Sequence, residues 1–181
     1  MRLFTAIEIP VEVREALRAF VERLKPLAKF SWSHIDNLHV TTKFIGEWPE
    51  SRLQEMVHVL EGVANAGPID IRVRGIGWFP DERHPRVFWA GVEASQALGD
   101  LAHATEQAVA TLGVPAEDRR YSPHLTFARI REAIPLDPLR RAIQNLPSGC
   151  GFDFGSFQAA EFFLYSSAGG RYSRLARFSL F

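Results

Sequence analysis

The sequence predicts an α+β protein built from two similar halves that face each other across a cleft. Segments with the two-residue alternation of strands are interspersed with segments of helical periodicity along the 181 residues. One pattern, a histidine followed two positions later by a threonine, occurs on strand-like segments at His39 and again at His124, 85 residues further on. The same order of elements follows each copy, which indicates an internal duplication with pseudo-twofold symmetry.

The first half opens with a strand and a helix. A strand is predicted over 3–9, and Pro10 is suited to begin the helix over 11–27, because proline is favoured at a helix start. Gly46 is expected to end the strand that contains His39. The other predicted elements of this half are two strands, a helix and the two strands of a hairpin, at 30–33, 38–45, 49–62, 69–79 and 86–92.

A helix over 95–112 leads to the second half. Ser95 is a suitable N-cap, and Gly113 ends the helix. The turn-rich segment 113–120 is the predicted crossover between the halves. A strand with His124, a helix, a strand and a final strand pair are then expected, the last four at 136–146, 152–157, 160–166 and 172–181. We expect residues 1–181 to form one domain of two lobes.

Charge, cysteine content and hydropathy exclude several classes of protein. Twenty-one basic residues balance twenty-one acidic ones, so no net field attracts nucleic acid and any recognition of RNA must be local. The one cysteine, Cys150, excludes an internal disulfide, and we expect it to be a bystander rather than a nucleophile. The sequence lacks an apolar stretch of the ~20 residues that cross a bilayer, and lacks a signal peptide's apolar region. We expect a cytoplasmic monomer without a membrane partner.

The two copies place polar groups on one face of each strand. Side chains alternate along a strand, so His39, Thr41 and Lys43 should share a face, as should His124 and Thr126. Histidine transfers protons near neutral pH, and a threonine hydroxyl donates a hydrogen bond to a phosphate oxygen without adding charge. Two imidazoles and two hydroxyls around one phosphate would form a catalytic site for phosphodiester chemistry that needs no metal.

In such a site, one imidazole is neutral and accepts a proton from the attacking water or hydroxyl. The other imidazole is protonated and donates a proton to the leaving alkoxide. Each transfer is worth roughly 10²–10⁴-fold in rate. A lone strand histidine is more often structural, but two copies with matched flanks favour a functional pair. Zinc binding is the competing hypothesis, and it requires a third ligand, for which Asp36 is the nearest candidate.

These motifs and their flanks resemble the 2H phosphoesterase superfamily, and within it the RNA 2′,3′-cyclic phosphodiesterases, also called 2′-5′ RNA ligases. The segments that carry the resemblance are the two histidine motifs, the N-terminal strand and a C-terminal stretch, at 37–46, 122–130, 2–10 and 172–178. The likeness covers essentially the whole chain. It implies a bilobal α+β fold with two antiparallel sheets around a central cleft and helices on the outer faces. It also implies that no metal or nucleotide cofactor is needed.

The resemblance further implies an activity and roles for residues of the motifs. The activity is hydrolysis of a terminal 2′,3′-cyclic phosphate of RNA to a 2′-phosphate, with reversible, ATP-independent 2′-5′ ligation as a related reaction. By resemblance, His39 is the proton donor and His124 the proton acceptor. Arg129 helps to hold the phosphate, beside the hydroxyls of Thr41 and Thr126.

Arg129 raises a geometric difficulty. Strand alternation points its side chain away from His124, so we predict a bulge or a strand end between the two. The chain also departs from the family pattern. Thr42 and Phe127 stand where family members commonly have an aliphatic residue, and Ser122 stands where they commonly have a basic one. The missing charge counts against strong RNA affinity.

Several other residues have both a structural and a functional interpretation. Lys43 could neutralise phosphate, although a solvated lysine at a strand end is the favoured interpretation. Four aromatic residues are candidates for stacking a terminal base, with core packing as the default: Phe4, Trp32, Phe44 and Tyr121. Two basic spots could contact an RNA backbone or simply be solvated: 72–74 and 119–120.

Two alternatives to the leading hypothesis remain open from the sequence. A binding module would use the same groove to hold RNA or a nucleotide without turnover. A related enzyme would act on a small nucleotide such as ADP-ribose 1″,2″-cyclic phosphate rather than on an RNA end. In both alternatives the two histidine motifs would still line the binding groove.

Overall fold

The computed structural model describes residues 1–63, 67–146 and 152–181, so Cys150 and the prediction about it lie outside the described residues. The strands are β1 (Arg2–Glu8), β2 (Ser31–Trp32), β3 (His39–Glu47), β4 (Ile69–Phe79), β5 (Val87–Ala94), β6 (His124–Arg129), β7 (Asp153–Ala159), β8 (Glu161–Ala168) and β9 (Arg171–Ser179). The α-helices are α1 (Val11–Leu24), α2 (Leu53–Glu61), α3 (Gln96–Ala110) and α4 (Asp137–Gln144). Within the described ranges, none of the helices combines the length and the hydropathy that a bilayer crossing requires.

The strands form two antiparallel sheets. Sheet A has the order β3-β1-β8-β9, and sheet B has the order β2-β6-β5-β4-β7. The predicted α+β class with two antiparallel sheets is therefore confirmed, and one histidine strand lies in each sheet. Each histidine strand pairs with a strand that precedes it in the chain, β3 with β1 and β6 with β5.

The chain contains two repeats, and corresponding elements of the two begin 84 or 85 residues apart. The elements β1, α1, β3, α2 and β4 begin at residues 2, 11, 39, 53 and 69, and β5, α3, β6, α4 and β7 begin at 87, 96, 124, 137 and 153. The boundary between repeats therefore falls in the turn between β4 and β5. The segment 113–120, predicted as the crossover, connects α3, which packs against β3 of sheet A, to β6 of sheet B, so it passes between the two sheets within the second repeat. Because β4 pairs with β5, a strand of the first repeat completes the sheet of the second. The β8–β9 hairpin follows both repeats and completes sheet A.

The first helix turns one apolar face to the core. It buries five side chains at spacings of three and four residues: Val13, Leu17, Phe20, Val21 and Leu24. The helix ends at Leu24 rather than at residue 27, because Pro26 lacks the backbone N–H that would continue the α-helical hydrogen-bond pattern. Residues Lys25–Leu27 form a single 3₁₀ turn instead. Phe20 contacts Phe88 and Phe127 of sheet B, which joins the helix to the main apolar core.

Gly46 lies inside a strand rather than at its end. The strand β3 continues to Glu47, and its register with β1 shifts between Leu3 and Phe4. Gly46 has a φ of 87°, in the left-handed region that glycine reaches without steric strain. It therefore allows a shift in strand register near the position where the sequence predicted the end of the strand. The pairing of β3 with β1 continues through Gly46 and Glu47.

Candidate active site

Both histidines make the same hydrogen bond to a backbone carbonyl two residues earlier. The Nδ1 atom of His39 lies 2.6 Å from the carbonyl oxygen of Asn37, and that of His124 lies 2.8 Å from the carbonyl oxygen of Ser122. A carbonyl oxygen only accepts, so each Nδ1 carries the hydrogen and donates it. The Nε2 atom of each neutral imidazole then holds the lone pair, and it is the atom that can exchange a proton with a substrate.

Three observations place the two histidines near each other. The strands β3 and β6 approach to within 8 Å between Cα atoms, although they belong to different sheets. The Tyr121 hydroxyl, three residues before His124, donates to the carbonyl oxygen of Thr41 at 2.9 Å. Burial lowers the pKa of His39, and the charge of His124 lowers it further. The two imidazoles are therefore close enough to interact electrostatically.

A bulge follows the threonine in both histidine strands. The register of β3 with β1 skips Thr42, and the register of β6 with β5 skips Phe127. The first six residues of both strands share one burial pattern: half-buried, buried, half-buried, buried, buried, exposed. The extra residue of a bulge shifts the alternation of side chains between the two faces by one position. The sixth residue of each strand therefore lies on the same face as the histidine. The irregularity predicted for Arg129 is confirmed, and Phe44 holds the equivalent position in the first copy.

The two sheets present different arginines beside the histidines. Arg129 is the exposed last residue of β6, and it takes part in none of the ion pairs found among the described residues. In sheet A, Arg174 is neutralised by Glu8, which also accepts a hydrogen bond from Tyr165. The Arg174 guanidinium lies 4.4 Å from the centroid of the Phe163 ring. Of the two arginines, Arg129 is the one whose charge is free for an anion.

Lys43 does not lie on the histidine face, and the interpretation as a solvated lysine is also wrong. Only 6% of the residue is exposed. Its Nζ lies 2.8 Å from the carboxylate of Glu106 in α3 and 3.2 Å from the carbonyl oxygen of Pro115. Burial acts to raise the pKa of Glu106, but hydrogen bonds from Lys43 and from the backbone N–H of Glu117 hold that pKa below its usual range. The bulge turns Lys43 into the packing between β3 and α3.

The two threonines of the first motif differ in environment. Thr41 is half-buried on the histidine face, as is Thr126 in the second motif. Thr42 is buried, and its hydroxyl lies 2.7 Å from that of Thr5 in a hydrogen bond. Thr42 therefore joins β3 to β1, whereas Thr41 and Thr126 lie on the same faces of their strands as the two histidines.

An aromatic ring meets each histidine edge-on. The ring of Tyr172 in β9 lies 5.3 Å from that of His39 at 76°, and the ring of Phe79 in β4 lies 5.1 Å from that of His124 at 81°. Phe4 also stacks on His39, with centroids 4.7 Å apart. These rings orient the imidazoles, and those of Phe4 and Tyr172 contribute to the burial that lowers the pKa of His39. No local pattern identifies Tyr172 or Phe79, because pairing between distant strands brings them to the histidines.

Of the four aromatic residues predicted as stacking candidates, one has an open face. Phe4 is only 3% exposed. The indole N–H of Trp32 donates to the carbonyl oxygen of Ala28 at 3.0 Å, and its half-buried ring packs against the core. The hydroxyl of Tyr121 is bonded to the chain near His39, and burial raises its pKa. Phe44 is 57% exposed and remains a stacking candidate.

The candidate third ligand of the zinc hypothesis is engaged elsewhere. The Oδ1 atom of Asp36 lies 3.0 Å from Arg18 and 4.0 Å from Arg14. Residues 1–63, 67–146 and 152–181 contain no group of three or more histidine, cysteine, aspartate or glutamate side chains that could hold a metal ion. Asp36 therefore serves the packing of α1 rather than the histidine pair.

Comparisons with known proteins find similarity in both sequence and fold. The family model described as LigT-like phosphoesterase matches residues 7–89. The RNA 2′,3′-cyclic phosphodiesterase of Methanocaldococcus jannaschii is 32% identical over 167 residues, which cover 92% of this chain and 91% of that protein. The crystal structure of TT0787 from Thermus thermophilus matches with a TM-score of 0.81 at 30% identity, over 99% of this chain and 98% of that one. The crystal structure of E. coli LigT complexed with 3′-AMP gives a TM-score of 0.76 at 27% identity, over 98% and 97% of the two chains.

Proposed function

This chain belongs to the LigT-like phosphoesterase family, and on that premise we propose that it hydrolyses the 2′,3′-cyclic phosphate at the end of an RNA to a 2′-phosphate. One observation carries the proposal beyond family membership. The matched bonds of both Nδ1 atoms to backbone carbonyls leave two Nε2 atoms for proton transfer, on two strands that approach each other from different sheets. Such a pair can supply both proton transfers in acid–base catalysis of phosphodiester cleavage.

The hydrolysis requires two proton transfers. The Nε2 atom of neutral His124 takes a proton from a water molecule as the water oxygen forms a bond to phosphorus. The bond between phosphorus and O3′ then breaks, and protonated His39 gives its Nε2 proton to the leaving O3′. The products are a 3′-hydroxyl and a 2′-phosphate. His124 ends protonated and His39 neutral, and exchange with solvent resets the pair.

Three side chains would hold the phosphate during this reaction. The hydroxyls of Thr41 and Thr126 lie on the histidine faces of their strands, and the bulge in β6 returns Arg129 to the same face. These groups would donate to the non-bridging oxygens, and their bonds strengthen as negative charge develops there. Each sheet thus supplies one imidazole and one hydroxyl to the phosphate.

The same groups would support ligation. A 5′-hydroxyl of a second RNA that takes the place of water loses its proton to His124 and bonds to phosphorus. The leaving O3′ takes the proton of His39, as in hydrolysis. The product is a 2′-5′ phosphodiester, formed without ATP because the strained cyclic phosphate supplies the energy, and the step is reversible by exchange of the two histidine roles.

The lowered pKa of His39 is compatible with its proposed role as the proton donor to the leaving group. Burial is the largest effect and favours the neutral form of His39 in the free protein; the bond to Asn37 opposes it, and the charge of His124 acts in the same direction as burial. A phosphodiester carries a negative charge, which favours the cationic imidazole. Substrate binding therefore raises the pKa of His39 and makes the proton available where it is needed.

We expect His124→Ala to raise the pKa of His39. The substitution removes a like charge, so the protonated form of His39 is less destabilised, whereas burial continues to oppose it. NMR titration of the His39 ring in the two proteins measures the difference. His103→Ala, on the exposed side of α3, is the matched control and should leave the pKa unchanged. An unchanged pKa in the His124→Ala protein would show that the rings are too far apart to share a phosphate.

We also propose that Phe44 stacks on the terminal base. It is 57% exposed, and the bulge in β3 returns it to the side of His39 and Thr41. A base stacked on an aromatic side chain contributes about 1–3 kcal/mol, so Phe44→Ala should raise KM by about 5- to 150-fold with little change in kcat. Phe44→Trp keeps an aromatic face and should retain the wild-type KM. Steady-state kinetics measure KM and kcat separately. A fall in kcat with an unchanged KM would contradict base stacking as the role of Phe44.

The activity itself is tested with an oligonucleotide that ends in a 2′,3′-cyclic phosphate. We expect release of a 2′-phosphate in the presence of EDTA, with the product identified by chromatography against 2′- and 3′-phosphate standards. Formation of a 3′-phosphate would contradict the assignment of O3′ as the leaving group. Binding of the oligonucleotide without any product would support the binding module instead.

A further inference from the structure

A cluster of exposed arginines lies at the end of the second histidine strand. We define the arginine rim as Arg83, Arg86 and Arg131. The first two belong to the turn between β4 and β5, and the third follows β6 by two residues. All three are exposed, and none is part of the catalytic device described above.

A continuous set of contacts joins the arginine rim to the second histidine. The ring of Phe79 meets that of His124, and the carbonyl oxygen of Phe79 accepts from the backbone N–H of Arg86 at 2.6 Å. The Nη1 atom of Arg86 donates to the carbonyl oxygen of Arg131 at 3.3 Å. The backbone N–H of Ile130 donates to the carbonyl oxygen of Arg86 at 2.9 Å. The rim is therefore held against the strand that carries the proposed proton acceptor.

The carboxylates of the neighbouring turn have partners of their own. The Oδ1 atom of Asp81 accepts from the backbone N–H groups of Arg83 and His84 at 2.8 and 2.9 Å. The carboxylate of Glu82 lies 3.7 Å from Arg140. No rim guanidinium takes part in an ion pair within the part of the chain that the structure describes. With Glu82 paired to Arg140, the three rim arginines outnumber the two nearby carboxylates without an ion pair, Asp81 and Glu132, and leave a local excess of positive charge on a chain whose net charge is zero.

A groove beside the rim combines charge with an apolar floor. Its volume is about 150 Å³, and Arg83 and Arg86 form part of its lining together with one carboxylate, Glu132. The larger apolar side chains in the lining are Ile130, Ile134 and Leu136. A single RNA strand presents phosphates and apolar base faces in alternation, and proteins bind it with basic groups beside apolar or aromatic surfaces.

We propose that the arginine rim binds the RNA strand immediately upstream of the cyclic end, so that the enzyme prefers an RNA chain to a mononucleotide. This proposal rests on the proposed function, because the terminal phosphate must lie between the two histidines for the upstream strand to reach the rim. Arginine binds phosphate in a geometry that suits its planar guanidinium. The rim places this charge beyond the C-terminal end of β6, the strand that begins with His124.

The triple variant Arg83→Gln, Arg86→Gln, Arg131→Gln tests the proposal with two substrates. One is a nucleoside 2′,3′-cyclic phosphate, and the other is a ten-nucleotide RNA with the same cyclic end. For the RNA we expect kcat/KM to fall about tenfold and the slope of log(kcat/KM) against log[salt] to become shallower by about two, at ~0.7 per lost contact. For the mononucleotide we expect a change of less than about twofold, because it carries no upstream phosphate.

Two further variants serve as controls. Arg119→Gln, Arg120→Gln removes an exposed basic pair in the segment before the second motif and should leave both substrates unaffected. Arg83→Gln alone should make the salt slope shallower by about 0.7, and it leaves the bond between Arg86 and Arg131 intact. Thermal unfolding of each variant verifies that the fold is retained.

Two outcomes would overturn the proposal. An equal loss on both substrates would show that the rim acts on the fold or on the terminal phosphate. An unchanged salt slope would show that the RNA takes another path. Failure of the proposed function has a different signature, because the wild-type protein would then turn over neither the mononucleotide nor the RNA.

Discussion

Replacement of His39 or His124 by alanine is expected to lower kcat by about 10²–10⁴-fold, because each imidazole supplies one of the two proton transfers. The double variant should be little slower than the slower single variant, since neither transfer completes the reaction alone and groups that act as a unit are not additive. Single-turnover rates on a cyclic-ended RNA at saturating enzyme measure the chemical step without the contribution of product release.

The control for these variants is a histidine outside the cleft. His103 lies on the exposed side of α3, and His103→Ala should retain the wild-type rate. His39 stacks on Phe4, so thermal unfolding must show that the His39→Ala protein remains folded. A folded His39→Ala or His124→Ala protein that keeps more than about a tenth of the wild-type rate would contradict the two-histidine mechanism.

A substrate whose 3′ leaving atom is sulfur should restore most of the activity of His39→Ala and little of that of His124→Ala. A thiol has a pKa of about 8.5, far below that of an alcohol, so the thiolate leaves without a donated proton. The variant that lacks the donor is therefore rescued. The variant that lacks the acceptor is not rescued, because the attacking water still has to lose its proton.

The measured quantity is the ratio of the rate on the sulfur substrate to the rate on the oxygen substrate. We expect this ratio to rise about 10²-fold or more in His39→Ala relative to the wild type, and to stay near the wild-type value in His124→Ala. The opposite pattern would exchange the roles of the two histidines. Equal ratios in the two variants would show that neither histidine protonates the leaving group.

Local patterns in the sequence predict most of the elements, but not where each side chain points. The hairpin of β4 and β5 and the helical face of α1 follow from periodicity alone. The bulge in β6 could also be predicted, because the phosphate contact that the family resemblance implies for Arg129 is incompatible with regular alternation from His124. Because the two repeats are equivalent, the same argument applies to β3, where the bulge exposes Phe44 and buries Lys43.

The remaining features depend on contacts between residues far apart in the sequence. Tyr172 reaches His39 through the pairing of β9 with β8 and of β8 with β1. Lys43 is buried because Glu106 lies opposite it in a helix of the other repeat. A strand pattern specifies which residues share a face, but it does not specify which strands become neighbours or which helix covers them.

The central claim is that the Nε2 atoms of His39 and His124 act on one phosphate. A crystal structure of the complex with a nucleoside 2′-phosphate, the product of the proposed reaction, measures this most directly. We predict that each Nε2 lies within about 2.6–3.2 Å of an oxygen of the product, that of His39 beside the 3′-hydroxyl and that of His124 beside a phosphate oxygen. A phosphate bound by only one imidazole, or bound away from both, would contradict the claim.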